Sequence, residues 1–284
     1  MQFVKKYPKE VVLCLLFLSN ILVWALVWAK NSSKLLSVYF IDVGQGDAIF
    51  VETPNHRQIL IDGGKNRRVV SELGKIMAFG DKIIDIVVAT HPDADHIGGL
   101  PEVISRYDIE LFLEPEVSKE NDLNSELHSR LENNNIQRLF AKRGQTINFG
   151  DGARLTILFP DRGVSNSDTN DASVVARLVY GKQSFLLTGD AGIKTENILL
   201  NSPELIDVDV LKAGHHGSRT STSLDFAQAA SPVYAVISSG KDNTYGHPHK
   251  EVLNILERVG SQVLSTADRG TIKFETDGEI IRLK

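Results

Sequence analysis

Cysteine is all but absent from this chain. The single one, Cys14, lies in an apolar stretch near the N-terminus, so the remainder can form neither a disulfide framework nor a thiolate metal cluster. Any metal there must be held by His, Asp, Glu or Asn. Basic charge is also in short supply, with 31 Lys and Arg against 36 Asp and Glu, a formal net charge of -5. Residues 1–30 contain Lys5, Lys6, Lys9 and Lys30 against Glu10, a balance of +3, which leaves -8 for residues 31–284. An acidic domain is an awkward partner for a polyanion, because non-specific nucleic-acid affinity comes mostly from Lys and Arg neutralising phosphates. Local basic patches are still compatible with that total. No internal repeat is evident, which argues against a solenoid. What remains is 284 residues with 42% hydrophobic content, enough for one large domain or two small ones with a sizeable core.

The first thirty residues read as a membrane segment. Val11 to Ala29 is a 19-residue run interrupted only by Ser19 and Asn20, close to the roughly 20 residues that span a bilayer as a helix. Lys5, Lys6 and Lys9 precede it, so the positive-inside tendency predicts a cytoplasmic N-terminus and an extracytoplasmic main domain. Trp24 and Trp28 fit interfacial anchors. The alternative is a cleaved signal peptide ending at Val27-Trp28-Ala29, although the run exceeds the usual h-region. The chain therefore divides into residues 1–30, an anchor or signal peptide, and residues 31–284, the working domain.

From Leu35 onward the pattern is of short strands and amphipathic helices. Leu36 to Val43 and Ala48 to Glu52 read as a hairpin around Gly44-Gln45-Gly46-Asp47, followed by a third strand at Gln58 to Ile61. Asp47 and Asp62 fit turn capping beside their glycines. Residues 65–79 have helical spacing, Ile83 to Ala89 is an apolar strand, and a helix is expected over Ile97 to Tyr107. Strands at Ile109 to Leu113 and Ile136 to Phe140 flank a helix at Leu123 to Asn133. Later strands are expected at Leu155 to Phe159, Ser173 to Tyr180, Ser184 to Thr188, Asp207 to Lys212 and Val233 to Ser238, then a helix at Glu251 to Val259. An initial meander followed by alternating strands and helices predicts a layered α/β architecture.

The chemistry concentrates at strand ends. Directly after the Ile83 to Ala89 strand, His91-Pro92-Asp93-Ala94-Asp95-His96 places two imidazoles and two carboxylates within six residues. Four such side chains without a cation would need costly mutual solvation, so the stretch reads as a metal site. Other strand ends carry Asp190, the pair His215 and His216, and, in Tyr245-Gly246-His247-Pro248-His249, two further histidines. Ligands so far apart in sequence meet only if the strand ends share one edge, which predicts a common cleft.

These residues resemble the metallo-β-lactamase-fold hydrolases, through His91-x-Asp93-x-Asp95-His96, Thr188-Gly189-Asp190 and Lys212-Ala213-Gly214-His215-His216-Gly217-Ser218. Within them the chain is similar to the soluble domain of the ComEC/Rec2 competence proteins, as Asp42-Val43-Gly44-Gln45-Gly46-Asp47 and Asn170-Asp171-Ala172-Ser173 also suggest. The resemblance implies a four-layer αββα sandwich and two divalent cations. Two departures stand out. Asp93 replaces an imidazole, and the family's further metal histidine has no counterpart, since only His128 lies between His96 and His215 and it reads as a solvated helix residue. Asn170 or Asp171 would complete that ligand set. The oxygen-rich set leans toward Mn²⁺, while the imidazoles still suit Zn²⁺.

Carried over residue by residue, His91 and Asp93 hold one metal, Asp95, His96 and His215 the second, and Asp190 bridges them. A metal pair lowers the pKa of a shared water and leaves hydroxide for attack, which suits phosphoester hydrolysis. Asp95, Asp190 and His247 are the expected catalytic residues, with His216, Ser218 and His249 contacting substrate. The resulting expectation is a membrane-anchored extracytoplasmic hydrolase, a phosphodiesterase or nuclease acting on DNA. Alternatives are a smaller phosphoester such as phosphorylcholine or a nucleotide, or a non-catalytic partner binding DNA or protein.

Overall fold

The structure is a computed structural model that describes residues 8–31, 35–117, 121–161, 163–164 and 168–284, leaving aside the side chains of 8 and 25–31. The chain forms two units, Met1–Lys34 and Leu35–Lys284. The first contains helix α1 (Pro8–Asn31), of 24 residues. Leu13, Leu15, Leu16, Phe17, Leu22 and Trp24 on it are all exposed, on every side of the helix. The expected membrane span covers 11–29, of which the side chains of 25–29 lie outside the described residues. Among the described residues, no helix is long and apolar enough to cross a membrane.

The second unit is a mixed α/β sandwich of two sheets. One is eight-stranded: β1 (Leu36–Phe40), β2 (Ile49–Glu52), β3 (Gln58–Ile61), β4 (Ile83–Val88), β5 (Asp108–Glu114) and β6 (Gln137–Phe140) lie side by side in chain order. The other is seven-stranded and runs, also in chain order, through β7 (Thr146–Asn148), β8 (Ala153–Phe159), β9 (Val175–Tyr180), β10 (Gln183–Leu187), β11 (Val210–Lys212), β12 (Tyr234–Ile237) and β13 (Gln262–Ser265). The chain then returns to the first sheet, where β14 (Ile272–Thr276) pairs antiparallel with β1 in the register Val38↔Phe274, and β15 (Ile281–Leu283) closes the edge.

Three apolar clusters account for the layering. Val38, Phe40, Val51 and Ile61 of the first sheet meet Leu178, Phe185, Leu187 and Val236 of the second, filling the space between the sheets. On the outer face of the first sheet, Phe50, Leu60 and Val87 are covered by helices α2 (Arg68–Ile76), α4 (Leu100–Ile104) and α5 (Asp122–Asn133) through Val69, Leu73, Val103 and Leu127. The short α3 (Ala94–Ile97) lies between α2 and α4 in sequence. On the outer face of the second sheet, Leu186, Leu211 and Ala235 are covered by α6 (Ile193–Leu200), α7 (Leu224–Ala230) and α8 (Lys250–Arg258) through Leu199, Phe226 and Leu256. Both sheets are therefore apolar on both faces, which explains the near-continuous apolar runs of the central strands.

The structure corrects the sequence reading in two places. The helix expected over Ile97 to Tyr107 is broken into α3 and α4. Gly98 and Gly99 keep helical dihedrals, but the Gly99 N–H donates to the Gly64 carbonyl at 3.0 Å instead of along the helix, an approach that leaves no room for a side chain: a Cβ on Gly99 would come within 2.2 Å of the Gly63 carbonyl. The strands β7, β13, β14 and β15, the helices α6 and α7 and a last turn α9 (Thr266–Arg269) are additional to the expected elements. Strands of three to five residues carry too little periodicity to register.

Phe274 closes the central layer from the C-terminal end of the chain. Its ring lies 6.0 Å from Phe40, 6.1 Å from Phe185 and 5.2 Å from Tyr234. Replacing it with alanine leaves a cavity between the sheets, and Phe274→Ala is expected to cost about 3–5 kcal/mol. Urea denaturation followed by circular dichroism checks this, and a destabilisation below ~1 kcal/mol would show that the return of the chain to β1 is dispensable.

Candidate metal centre

The strand ends do meet along one edge. The loops after β1, β3, β4, β10, β11 and β12 bring Asp47, Asp62, the His91–His96 stretch, Asp190, the His215–His216 pair and His247 together. Glycines make the approach possible. Gly46 has φ +120, and a Cβ there would sit 1.9 Å from the Asp95 carbonyl oxygen. The Asp47 N–H donates to that same oxygen at 3.3 Å. The turn Gly214–Gly217 is more unusual, because His215, His216 and Gly217 take φ of 45, 55 and 79 in succession. Non-glycine residues rarely adopt this region, and such strain persists only where surrounding contacts hold it. Here Gly214 N–H donates to Thr222, and Ser221 donates to the Gly214 carbonyl. The buried Glu196 carboxylate in turn accepts from the Thr222 and Ser223 N–H groups.

One oxygen is the point of convergence. Asp190 Oδ2 lies 3.3 Å from His96 Nε2, 3.4 Å from His216 Nε2, 3.8 Å from His215 Nε2 and 4.0 Å from His91 Nε2. Four imidazoles thus aim the same ring atom at one carboxylate. In three of them the other nitrogen has a partner that requires a proton there. His216 Nδ1 is 2.8 Å from the Ser238 carbonyl oxygen, which can only accept. His96 Nδ1 is 2.7 Å from Asp62 Oδ2. His91 Nδ1 is 3.0 Å from Thr90 Oγ1, whose own proton goes to Asp62 at 2.6 Å. With Nδ1 carrying hydrogen, a neutral ring presents a lone pair at Nε2.

At His91 that lone pair has nothing but a cation to bind. His91 Nε2 is buried with no hydrogen-bond partner among the described residues. His96 Nε2 and His216 Nε2 lie only 3.3 Å apart, so two neutral rings protonated at Nδ1 set lone pair against lone pair there. A metal ion between them and Asp190 removes the conflict, and outer partners of the kind seen at Nδ1 are what metal-ligating histidines need. The residues present therefore fit a divalent cation. Asp95 Oδ2, 3.3 Å from His216 Nε2, joins His96, His216 and Asp190 on one side. Asp93 Oδ2, 3.8 Å from His91 Nε2, lies with His91 and Asp190 on the other.

Electrostatics carry the same message. Burial alone would raise Asp190, but His216, His96 and Lys212 hold its carboxyl well below the usual range. Burial lowers His216, yet the Asp190 charge and hydrogen bonds to Asp47 and Asp95 push it up to about 9. Burial, reinforced by His96, lowers His91 to about 3, so that ring is neutral and ready to ligate. The field is strongly negative at His96 and His216, and either protons or a metal must neutralise it.

The sequence reading is sharpened at several residues. His216, expected to contact substrate, is buried and belongs with Asp47, His96 and Asp190 to a group whose ligand atoms all lie within 4.8 Å of one another. His215, expected as the metal ligand, is partly exposed, with Nδ1 3.1 Å from Thr220 Oγ1. Ser218, expected to contact substrate, instead accepts from Thr220, which supports His215. His249 precedes α8 and its Nδ1 accepts from the Arg219 N–H at 3.3 Å. Asp171 pairs with Lys194 at 2.7 Å, whereas Asn170 Oδ1 is buried without a partner among the described residues. Ser173 Oγ accepts from the Asp190 N–H and so ties the Asn170–Ser173 turn to Asp190. His247 has its ring 5.6 Å from His215 and 6.2 Å from His216. His128 is not a solvated helix residue: it is 3.0 Å from Glu114 and 3.1 Å from Arg138, lining a cavity of about 450 Å³ beside His91.

Asp47, Asp62 and Lys212 also belong to the site, although the sequence assigned none of them a role in it. Asp47 lies behind the rings, 3.4 Å from His216 Nδ1 and 3.9 Å from His96 Nδ1, and pairs at 2.5 Å with the fully buried Lys212 ammonium. The Nδ1 atoms that Asp47 faces also donate to Ser238 and Asp62, so Asp47 lies on the opposite side of the His216 ring from Asp95. Lys212 also donates to the Gly189 carbonyl at 2.8 Å and lies 3.5 Å from Asp190 Oδ1. An Asp beside Gly reads as a turn, so only the burial of Asp47 and Asp62 reveals their role. Asp62→Asn, whose amide can turn an N–H toward His96 Nδ1 and favour the wrong tautomer, is expected to weaken Zn²⁺ or Mn²⁺ binding roughly 10–100-fold. Competition against a chromophoric chelator measures this, and unchanged affinity would separate His96 from metal binding.

The Metallo-beta-lactamase superfamily profile matches residues 41–241. ComE operon protein 3 of Bacillus subtilis is 35% identical over 256 residues, covering 84% of this chain and 32% of that protein. Recombination protein 2 of Haemophilus influenzae is 32% identical over 253 residues, covering 87% of this chain and 30% of the relative. The chain thus spans about a third of the length of these relatives. Among solved structures, the metallo-beta-lactamase fold protein YhfI from Bacillus subtilis aligns with a TM-score of 0.57 at 13% identity, over 85% of this chain and 99% of that one. Identity so low speaks to the fold alone, but the likeness to competence proteins extends across the domain. With well over half of its residues inside the profile match, this chain belongs to the Metallo-beta-lactamase superfamily.

Proposed function

We propose that the chain is a metal-dependent phosphodiesterase, a nuclease acting on DNA in the manner its competence-protein relatives suggest. The observation that carries the reading is the convergence of four imidazole Nε2 atoms within 4.0 Å of Asp190 Oδ2, flanked by Asp93 and Asp95. His91, Asp93 and Asn170 would hold one cation, with His215 beside it, and Asp95, His96 and His216 the other, with Asp190 bridging. Bound there, Mn²⁺ or Zn²⁺ supplies a nucleophilic water at neutral pH and positive charge for the phosphoryl oxygens.

The chain's own residues do the rest. Asp190 and Asp95 keep the centre negative enough to retain cations, and Lys212 from below stops their charge from accumulating unbalanced. Burial, with His216 and His215 beside it, lowers His247 to about 4, so its ring is neutral near pH 7. A neutral ring offers a single N–H, and its Nδ1 has no partner among the described residues. His247 therefore orients a substrate oxygen at the mouth of the cleft. The same shift disfavours a full imidazolium donor at this position.

Purified full chain supplied with Mn²⁺ or Zn²⁺ is expected to hydrolyse bis-p-nitrophenyl phosphate. Asp190→Ala and His216→Ala are each expected to lower kcat by at least a hundredfold, about 2.7 kcal/mol. Undiminished activity in both variants would sink the proposal. Single-stranded DNA, duplex DNA, nucleotides and phosphorylcholine polymers then distinguish a nuclease from a hydrolase of smaller phosphoesters.

The apolar, exposed surface of α1, with Lys5 and Lys6 before it and Lys9 in its first turn, supports a membrane anchor with the domain outside the cytoplasmic membrane. A phosphatase reporter fused after Lys284 should be active in intact cells. Activity restricted to a cytoplasmic reporter would overturn this topology.

A further inference from the structure

The acidic total of the domain makes any concentration of basic side chains informative, and one lies beside the metal centre. Arg67 and Arg68, exposed at the start of α2, line a groove of about 480 Å³ with Asn66, Glu102 and the exposed Arg106, and the exposed Lys65 stands next to it in the chain. Arg106 is paired with Glu102 at 2.6 Å and Arg68 with Asp42 at 2.6 Å. Lys65 and Arg67 have no ion-pair partner among the described residues. A cluster of like charge left uncompensated costs self-repulsion, and an external anion relieves it.

The position of this patch matters as much as its charge. Lys65 rests against the ligand stretch, since a Cβ on Gly98, two residues after His96, would meet the Lys65 carbonyl at 2.2 Å. Arg68 is shared with a second groove, of about 380 Å³, formed with Asp42, Gln45, Gly240, Lys241, Asp242 and Asn243, in which Arg68 and Lys241 offset the two carboxylates. Gln45 accepts from the Gly240 N–H at 3.2 Å, and Asp47 of the centre follows two residues later. Asn243 donates to the His247 carbonyl at 2.7 Å and accepts from the His247 N–H at 3.0 Å. The two grooves share Arg68 and so form one path from Arg106 and Arg67 to Lys241, which ends against Asn243, the residue that holds the His247 backbone.

We infer that this path is a backbone track for single-stranded nucleic acid, with Lys65 and Arg67 as its uncompensated phosphate contacts and Arg68 and Lys241 leading the strand toward the centre. The inference rests on the phosphodiesterase reading and deepens it, because a small phosphoester would not reach the patch. Continuity with the cleft favours a polyanionic chain over a lipid surface, since the groove lining offers Val70 as its apolar contribution. Both groups sit at exposed positions, so their removal leaves the fold and the metal ligands untouched.

The test uses full chain with chelator present, so that binding is read without cleavage, and a fluorescein-labelled oligothymidylate as probe. Lys65→Gln combined with Arg67→Gln is expected to weaken binding several-fold and to flatten the slope of log K against log salt by about 1.4, roughly 0.7 for each phosphate that is no longer neutralised. Turnover of bis-p-nitrophenyl phosphate with metal should stay unchanged. An unchanged salt slope would overturn the track, as would an equal weakening in the charge-matched control Lys182→Gln combined with Arg282→Gln, at residues paired with Glu279 and Asp277. Weakened retention on phosphatidylglycerol nanodiscs with an unchanged oligonucleotide slope would assign the patch to a lipid surface and likewise overturn it. Absence of phosphodiester turnover with an altered slope would instead refute the catalytic reading and leave the track standing.

Discussion

Asp190 carries its negative charge into the interior, and the arrangement of the domain edge follows from the need to compensate it. A buried carboxylate is tolerated only when paired and hydrogen-bonded. Its partners come from three different places: His91 and His96 after β4, Lys212 at the end of β11, and the His215–His216 turn beyond it. Each partner needs support of its own, which Asp62, Thr90, Asp47 and the Ser238 carbonyl supply. The strained Gly214–Gly217 turn exists because two adjacent histidines must present their Nε2 atoms to the same oxygen.

This dependence explains how two sheets with separate outer cores act as one site. The first sheet delivers Asp47, Asp62 and the His91–His96 stretch, and the second delivers Asp190, Lys212, His215, His216 and His247. The apolar layer between them, closed by Phe274, sets their separation. Small changes there would shift one set of ligands against the other, and metal sites tolerate only a few tenths of an ångström.

Much of the fold is legible in the sequence because its central strands are buried on both faces and so stand out as apolar runs. The ligand stretch is legible for a different reason: His91, Asp93, Asp95 and His96 are too polar to follow such a strand without a function. Less visible are Asp47 and Asp62, whose neighbouring glycines make them look like ordinary turn residues. His128 looks solvated in the sequence because its partners Glu114 and Arg138 lie on β5 and β6, away from it along the chain. The edge strands β7 and β15 escape notice because three residues cannot establish an alternation.

By itself the sequence determined the layered α/β class, the identity of the metal-ligand types and the superfamily likeness, since these depend on local periodicity and on residue chemistry at strand ends. Only the tertiary structure decided which histidine of the His215–His216 pair turns inward, that Lys212 is buried beneath Asp190, and that Asp47 stands behind the rings. It also decided that Arg67 and Arg68 line one groove and that Arg68 lines a second with Lys241. The physical reason is direction: sequence names the groups, but which atom of a ring faces a charge is set by the backbone turn that carries it and by the partner holding its other side.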